Sequence, residues 1–300
     1  MVDTCLPASV KWRSVLCITV GVLLSVCAVA GQSQPEPPDL ISDKIHQVEA
    51  DLGASVGVAV YNLADNTLWH YNGETRFPLM STFKTLACAK LFADVDRGAQ
   101  SFERSVMIEK EKLIAWSPIT ENLVGEPFTL KQACSAAMQM SDNTAANIVL
   151  EGIGGPGELT QFMRSIGDDV TRLDRIEPAL NEALAGDNRD TTTPDAMVNS
   201  LAELLYGETL SASAAAQLKQ WMMDNKVSDS LLRSVLPQGW SIADRSGAGG
   251  FGSRGITAIV WSEQQTPIVI AIYLTQTDAS FDRRNRAIAE IGQAIFSRYR

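Results

Sequence analysis

Hydrophobic and polar positions alternate across residues 55–62 (SVGVAVYN), a β-branched run that reads as a strand. Residues 66–72 can pair with it as a hairpin. From about residue 81 to 223 the apolar spacing becomes mostly helical, with segments at 84–96, 129–139, 143–151, 194–206 and 211–223. Two of these carry start signals: Thr129 ahead of LKQACSAAM, and Thr193-Pro194 opening the fourth. Strand composition returns at 240–246, 256–262 and 267–275. In 280–298, Ile288, Ile291 and Ile295 recur at helical spacing and predict a terminal helix. The order is strand, helices, strands, helix. The simplest fold is an α/β (α+β) one, with a sheet shared by both chain ends and the middle of the chain inserted as a helical lobe. The expected division is an α/β lobe of 31–77 and 224–300, and an all-helical lobe of 78–223. Sites favour the cleft between such lobes.

The first thirty residues stand outside this pattern. Lys11 and Arg13 precede seventeen uncharged residues, Ser14 to Ala30, which end in Ala28-Val29-Ala30. The run is short for a membrane span and is followed by polar, Pro-rich sequence. It reads as a secretory signal, residues 1–30, cleaved after Ala30; an uncleaved anchor and a lipid-anchored Cys27 are the alternatives. Cleavage would remove Cys5, Cys17 and Cys27. Cys88 and Cys134 then remain, and an even count in an exported chain favours a disulfide over two separate thiols. The expected location is secreted, in the bacterial periplasm, with no membrane attachment after cleavage.

Composition narrows the chemistry. The net charge is -10, with 35 acidic against 25 basic residues and no Lys/Arg run, which argues against nucleic acid as a partner. The two histidines, His46 and His70, show no ligand spacing, so no metal is expected, and neither lies near a nucleophile motif. Nothing marks a heptad or a docking helix, so a monomer is expected.

Four short constellations carry candidate chemistry. Ser81-Thr82-Phe83-Lys84 places a hydroxyl and an amine on one helical face, where Lys84 can sit against the Ser81 hydroxyl and prime it. Ser-x-x-Lys alone is weak, since about one is expected by chance in a chain this long. Ser141-Asp142-Asn143 offers a second hydroxyl to relay a proton and an amide to hold a lysine or a carbonyl; it reads equally as the N-cap of the next helix. Glu177 and Asn181, four apart, can clamp one water, although Glu177 also reads as a solvated acid. They lie in an aperiodic loop, 175–190, whose ends Arg175 and Asp190 are oppositely charged and can tie its neck, or form only a weak surface pair. Arg245-Ser246-Gly247-Ala248 sets a cation beside a hydroxyl, suited to a carboxylate, with Gly247 allowing close approach to the strand; it also reads as a strand end.

In order and spacing the four sets resemble a class A β-lactamase, over about residues 40 to 298. Arg245-Ser246-Gly247 stands where that family usually carries Lys-Thr-Gly or Lys-Ser-Gly. With the following AGGFGSRG, it resembles the carbenicillin-hydrolysing subgroup. The resemblance implies the β-lactamase/transpeptidase fold, with a mostly antiparallel five-stranded sheet flanked by helices. It implies a β-lactam substrate, no cofactor, and hydrolysis through an acyl-enzyme on Ser81 that confers β-lactam resistance. Lys84 takes part in activating Ser81, and Ser141 passes a proton to the lactam nitrogen. Glu177 and Asn181 hold the deacylating water. Asn143 binds the side-chain amide, and Arg245, Ser246 and Arg254 receive the ring carboxylate. The N–H groups of Ser81 and Ala248 form the oxyanion hole, and Trp116 stands at the cleft rim unless it is a core residue. Cys88 and Cys134 match positions where many members carry a disulfide. The planar fork of Arg245 suggests service to a substrate with two carboxylates. Small Ala248 and Gly249 suggest a bias toward penicillins over large oxyimino cephalosporins. The rival readings are a penicillin-binding D-Ala-D-Ala peptidase and a β-lactam-sensing domain, both of which would stay acylated.

Overall fold

Residues 39–299 are described by the computed structural model; the expected signal segment, 1–30, and the three cysteines in it lie outside them. Both chain ends build one antiparallel sheet. Strands β1 (Ser55–Asn62) and β2 (Thr67–Tyr71) form the predicted hairpin. Strands β7 (Ser241–Ala248), β8 (Arg254–Trp261) and β9 (Ile268–Thr275) complete it in the order β2-β1-β9-β8-β7. Strand β9 lies in the middle and is buried on both faces, which is why IVIAIYLT is apolar throughout rather than alternating. Its even positions, Ile268, Ile270, Ile272 and Leu274, share one core with helices α1 (Leu40–Leu52) and α8 (Phe281–Arg298). Its odd positions, Val269, Ala271 and Tyr273, face the other core, built with the helices from the middle of the chain.

Those helices are α2 (Phe83–Asp96), α3 (Leu130–Met140), α4 (Asn143–Gly152), α5 (Pro156–Ser165), α6 (Pro194–Tyr206) and α7 (Ala212–Met223). The predicted start signals are in place. Thr129 and Gln132 form a capping box on α3, and Thr193 caps α6 with Pro194 at its first position. Two short pairings, β3 (Phe77–Pro78) with β6 (Thr191–Thr192) and β4 (Ser105–Met107) with β5 (Pro127–Thr129), pin the intervening loops. No helix among the described residues is long and apolar enough to cross a membrane.

Cys88 on α2 and Cys134 on α3 are joined by a buried disulfide, Cα to Cα 5.7 Å. The bond braces the helix that follows Ser81 against the helix that leads to Ser141. Closing a loop of this length is worth roughly 3–4 kcal/mol in the chain-entropy view. Alkylating the unreduced, unfolded protein should leave the peptides carrying Cys88 and Cys134 unlabelled, and labelling should appear only after reduction. Full labelling before reduction would contradict the bond.

Candidate active site

A 3₁₀ turn, Met80–Thr82, feeds directly into α2 and presents Ser81, only 8% exposed, at the floor of a cleft of about 540 Å3. Met80, just before it, sits in the left-handed region at φ 49°, an uncommon state for a long side chain. Strand β7 lies against this turn. A Cβ on Gly247 would fall 2.7 Å from Met80 Cβ and 2.8 Å from the Ser81 nitrogen, so the close approach requires glycine.

Lys84 follows one turn along α2, and its side chain is fully buried. Nζ donates to Asn143 Oδ1 at 2.6 Å, to Ser141 O at 2.9 Å and to Ser141 Oγ at 3.2 Å, and lies 3.3 Å from Glu177 Oε1. Burial pushes Lys84 down to about 8; the Glu177 charge opposes that shift and Arg245 adds to it. One expectation is corrected here. Lys84 makes no hydrogen bond to the Ser81 hydroxyl: its three protons are directed to Ser141 and Asn143, with the Glu177 carboxylate alongside, and together these surround a buried ammonium more completely than one hydroxyl can.

The Ser141-Asp142-Asn143 segment serves both of its predicted readings. Ser141 ends α3 in the left-handed conformation, φ 58°. Asp142, fully buried, caps α4 by accepting from Ala145 N at 2.8 Å, and accepts from Ile119 N and Thr120 N at 2.9 Å each. Its flanking residues are thereby held toward Lys84. Asn143 also donates from Nδ2 to Ala115 O at 3.0 Å, leaving one amide proton for another acceptor. Trp116 is no core residue: it is 61% exposed at the cleft rim, with Nε1 bonded to Met140 O at 3.1 Å.

Glu177 is likewise not the solvated acid that its loop position allows. It is 2% exposed, and Asn147 grips its backbone by two 2.9 Å bonds, from Glu177 N and to Glu177 O. Asn181 Nδ2 donates to Glu177 Oε2 at 2.5 Å. Glu177 Oε1 and Asn181 Oδ1 are buried acceptors without a well-aligned donor among the described residues. Two such oxygens on joined side chains suit a molecule that brings two protons.

The loop's neck is a buried pair rather than a surface contact. Asp190, 1% exposed, accepts from Arg175 Nε at 2.5 Å and from the Asp174 and Arg175 backbone at 2.8 and 2.9 Å. The Asp190 carbonyl in turn accepts from Leu79 N at 2.8 Å, tying the neck to the segment that carries Ser81.

Arg245 brings the second correction. Its side chain is 1% exposed, with Nη1 donating to Met138 O at 2.6 Å and Nε to Ser246 O at 3.1 Å. Burial pushes it down to about 10, with Asp244 opposing that shift. Two arms of the fork are therefore committed to main-chain carbonyls, so a two-pronged embrace of a dianionic substrate is not available; Nη2 and the charge remain. Arg254 stands beside it, with Nη1 on Gly247 O and Nε on Asn285 Oδ1, each at 2.8 Å.

Of the predicted catalytic and substrate-binding residues, all but Lys84 and Glu177 line the cleft, and those two lie buried beneath it. Val227 and Phe281 also line it and were not foreseen. Among the described residues no cluster of His, Cys, Asp and Glu side chains is arranged to hold a metal ion.

The family model described as the Beta-lactamase enzyme family matches residues 40–299. The chain belongs to this family. The Pseudomonas aeruginosa β-lactamases CARB-4 and PSE-4 are 55% and 52% identical to it, covering 84% and 86% of this chain and 88% and 90% of the relatives. The chromosome-encoded β-lactamase of Vibrio parahaemolyticus superposes with a TM-score of 0.85 at 52% identity, over 87% of this chain and 99% of that one. An ancestral class A β-lactamase superposes with a TM-score of 0.84 at 44% identity, over 86% of this chain and all of that one (100%). This β-lactamase thus shares its fold and its cleft-bearing span with class A serine hydrolases.

Proposed function

We propose that this β-lactamase hydrolyses the lactam amide of penicillins, carbenicillin included, through an ester on Ser81, and thereby confers β-lactam resistance. The observation that carries the hydrolase reading is the Glu177–Asn181 pair, bonded to each other, with Glu177 buried and linked to the nucleophile's helix through Lys84 and Asn181 open to the cleft. A peptidase or sensor that stays acylated has no need of that pair.

Ser81 Oγ attacks the lactam carbonyl. Its proton enters the buried Lys84–Glu177 pair, which acts as one coupled base: passing a proton from Lys84 to Glu177 across 3.3 Å leaves a neutral amine. The Ser81 and Ala248 N–H groups stabilise the oxyanion, each worth about 3–4 kcal/mol. Gly247, packed on the Ser81 nitrogen, keeps the two donors close. Lys84 returns a proton through Ser141 Oγ to the lactam nitrogen as the C–N bond breaks. Glu177 hands its proton back to Lys84, then takes one from water held with Asn181; the water oxygen attacks the ester, and the Ser81 oxygen leaves with the proton that Glu177 took from the water. Asn143 holds the substrate's side-chain amide, with Trp116 at the rim. Ser246 Oγ, Arg254 Nη2 and the Arg245 charge receive the ring carboxylate. No cofactor enters.

Every group in this scheme comes from one chain, so a monomer suffices. The cleft draws on an α/β lobe of 31–77 and 224–300 and a helical lobe of 78–223. Export to the bacterial periplasm accords with the disulfide. The acidic balance accords with a small-molecule substrate and with no nucleic acid partner.

Turnover of benzylpenicillin and carbenicillin by the parent and by Arg245→Lys tests the function and the role of Arg245 together. Both substrates should be hydrolysed by the parent. The variant leaves Met138 O short of a donor, so kcat/KM should fall for both substrates in parallel, their ratio moving less than about threefold. A ratio shifted tenfold or more would restore the two-carboxylate fork, and no turnover by the parent would end the hydrolase reading.

A further inference from the structure

Phe281 opens α8 and stands in the cleft wall, 46% exposed. The Arg254 guanidinium lies 4.8 Å from the centre of its ring, and that of Arg284 lies 5.5 Å away. Asn285, four residues along the same helix face, accepts from Arg254 Nε at 2.8 Å. The helix thus holds one guanidinium twice, through the Asn285 side chain at Nε and through the Phe281 ring that its central carbon lies over. With Nη1 on Gly247 O, the Nη2 group alone has no hydrogen-bond partner among the described residues, in a side chain that borders the cleft. Burial, together with the charges of Arg245 and Arg284, pushes Arg254 down to about 10, so an anion is welcome there.

We propose that Phe281 is a positioning residue for substrate binding: its ring face fixes the Arg254 guanidinium so that Nη2 meets the substrate's ring carboxylate. The inference rests on the reading of Arg254 as the carboxylate's partner. An aromatic face attracts a partly desolvated guanidinium, and the contact restrains its motion. Removing the ring frees the guanidinium to tilt and to hydrate, which weakens the ground-state grip on the carboxylate without touching the reacting atoms. Phe281 sits at the first position of a helix already capped by Ser280, so substitution there leaves the fold intact.

The test measures KM and kcat for benzylpenicillin and for its methyl ester in the parent, Phe281→Ala, Phe281→Leu and Phe281→Tyr, with Arg254→Ala as reference. For the acid, Phe281→Ala and Phe281→Leu should raise KM about three- to tenfold, with kcat held within about twofold, while Phe281→Tyr stays near the parent. For the ester, Phe281→Ala should leave KM unchanged. An ester KM that rises as much as the acid's, or a Phe281→Leu that matches the parent, would overturn the proposal. Arg254→Ala should erase the difference between acid and ester. If it does not, the carboxylate reading of Arg254 falls and this inference with it.

Discussion

Glu177→Ala should bind and acylate with benzylpenicillin yet release product about a thousandfold more slowly than the parent. The two halves of the reaction separate because Glu177 bears on them differently. In deacylation it is the base, and Asn181 cannot replace it, having no group that takes a proton near neutrality. In acylation it shares the task with Lys84. Burial already pushes Lys84 down to about 8, and the Glu177 charge is what holds it from falling further. Without that charge Lys84 sheds its proton more readily, so more of it is the free amine that can take the Ser81 proton. Rapid mixing should therefore show a burst of one equivalent, within about tenfold of the parent's acylation rate, followed by a steady state lowered about a thousandfold. Equal losses in both phases would give Glu177 the same part in acylation as in deacylation; parent-like turnover would remove it from the chemistry.

Asp190→Ala should be the most destabilising single change in the loop 175–190. It removes the buried acceptor of three bonds, two from the Asp174 and Arg175 backbone and one from Arg175 Nε. Breaking a buried ion pair from one side costs roughly 3–5 kcal/mol. Arg175 keeps Glu182 at 2.6 Å, so the lower end applies. For a protein of this size that predicts a Tm lower by roughly 6–12 °C. Activity should fall as well, because Glu177 lies two residues from the freed Arg175. A Tm shift under about 2 °C would return the pair to the class of surface contacts.

Most of the site was legible because its chemistry is written in short local runs. Ser81 and Lys84 lie one helical turn apart, Ser141 and Asn143 flank a capping aspartate, and Glu177 and Asn181 lie four apart in a loop whose ends attract. The sheet was legible for the same reason, since its strands alternate or, in β9, are apolar throughout. What escaped depends on contacts between distant segments. Spacing put Lys84 near Ser81, but its protons follow Ser141 and Asn143, some sixty residues on. The Arg245 fork looked free because nothing local shows that the end of α3 offers it Met138 O. Phe281 gave no local sign of its part, since it opens a helix and its partner Arg254 lies on strand β8. Helix α1 carries Ile41, Ile45 and Val48 at helical spacing, but it follows a Pro-rich tract closely and was not read as an element. Strands of two or three residues, such as β3 and β6, are too short to show any period.

The most direct measurement is intact-protein and peptide mass spectrometry after mixing with benzylpenicillin. The parent should return to its unmodified mass as penicilloic acid accumulates. Glu177→Ala should instead keep a covalent penicilloyl group, mapped to the side-chain oxygen at position 81 and absent in Ser81→Ala. No adduct at that position in the Glu177 variant, or clearance of the adduct at the parent rate, would contradict a serine ester whose release is directed by the buried carboxylate.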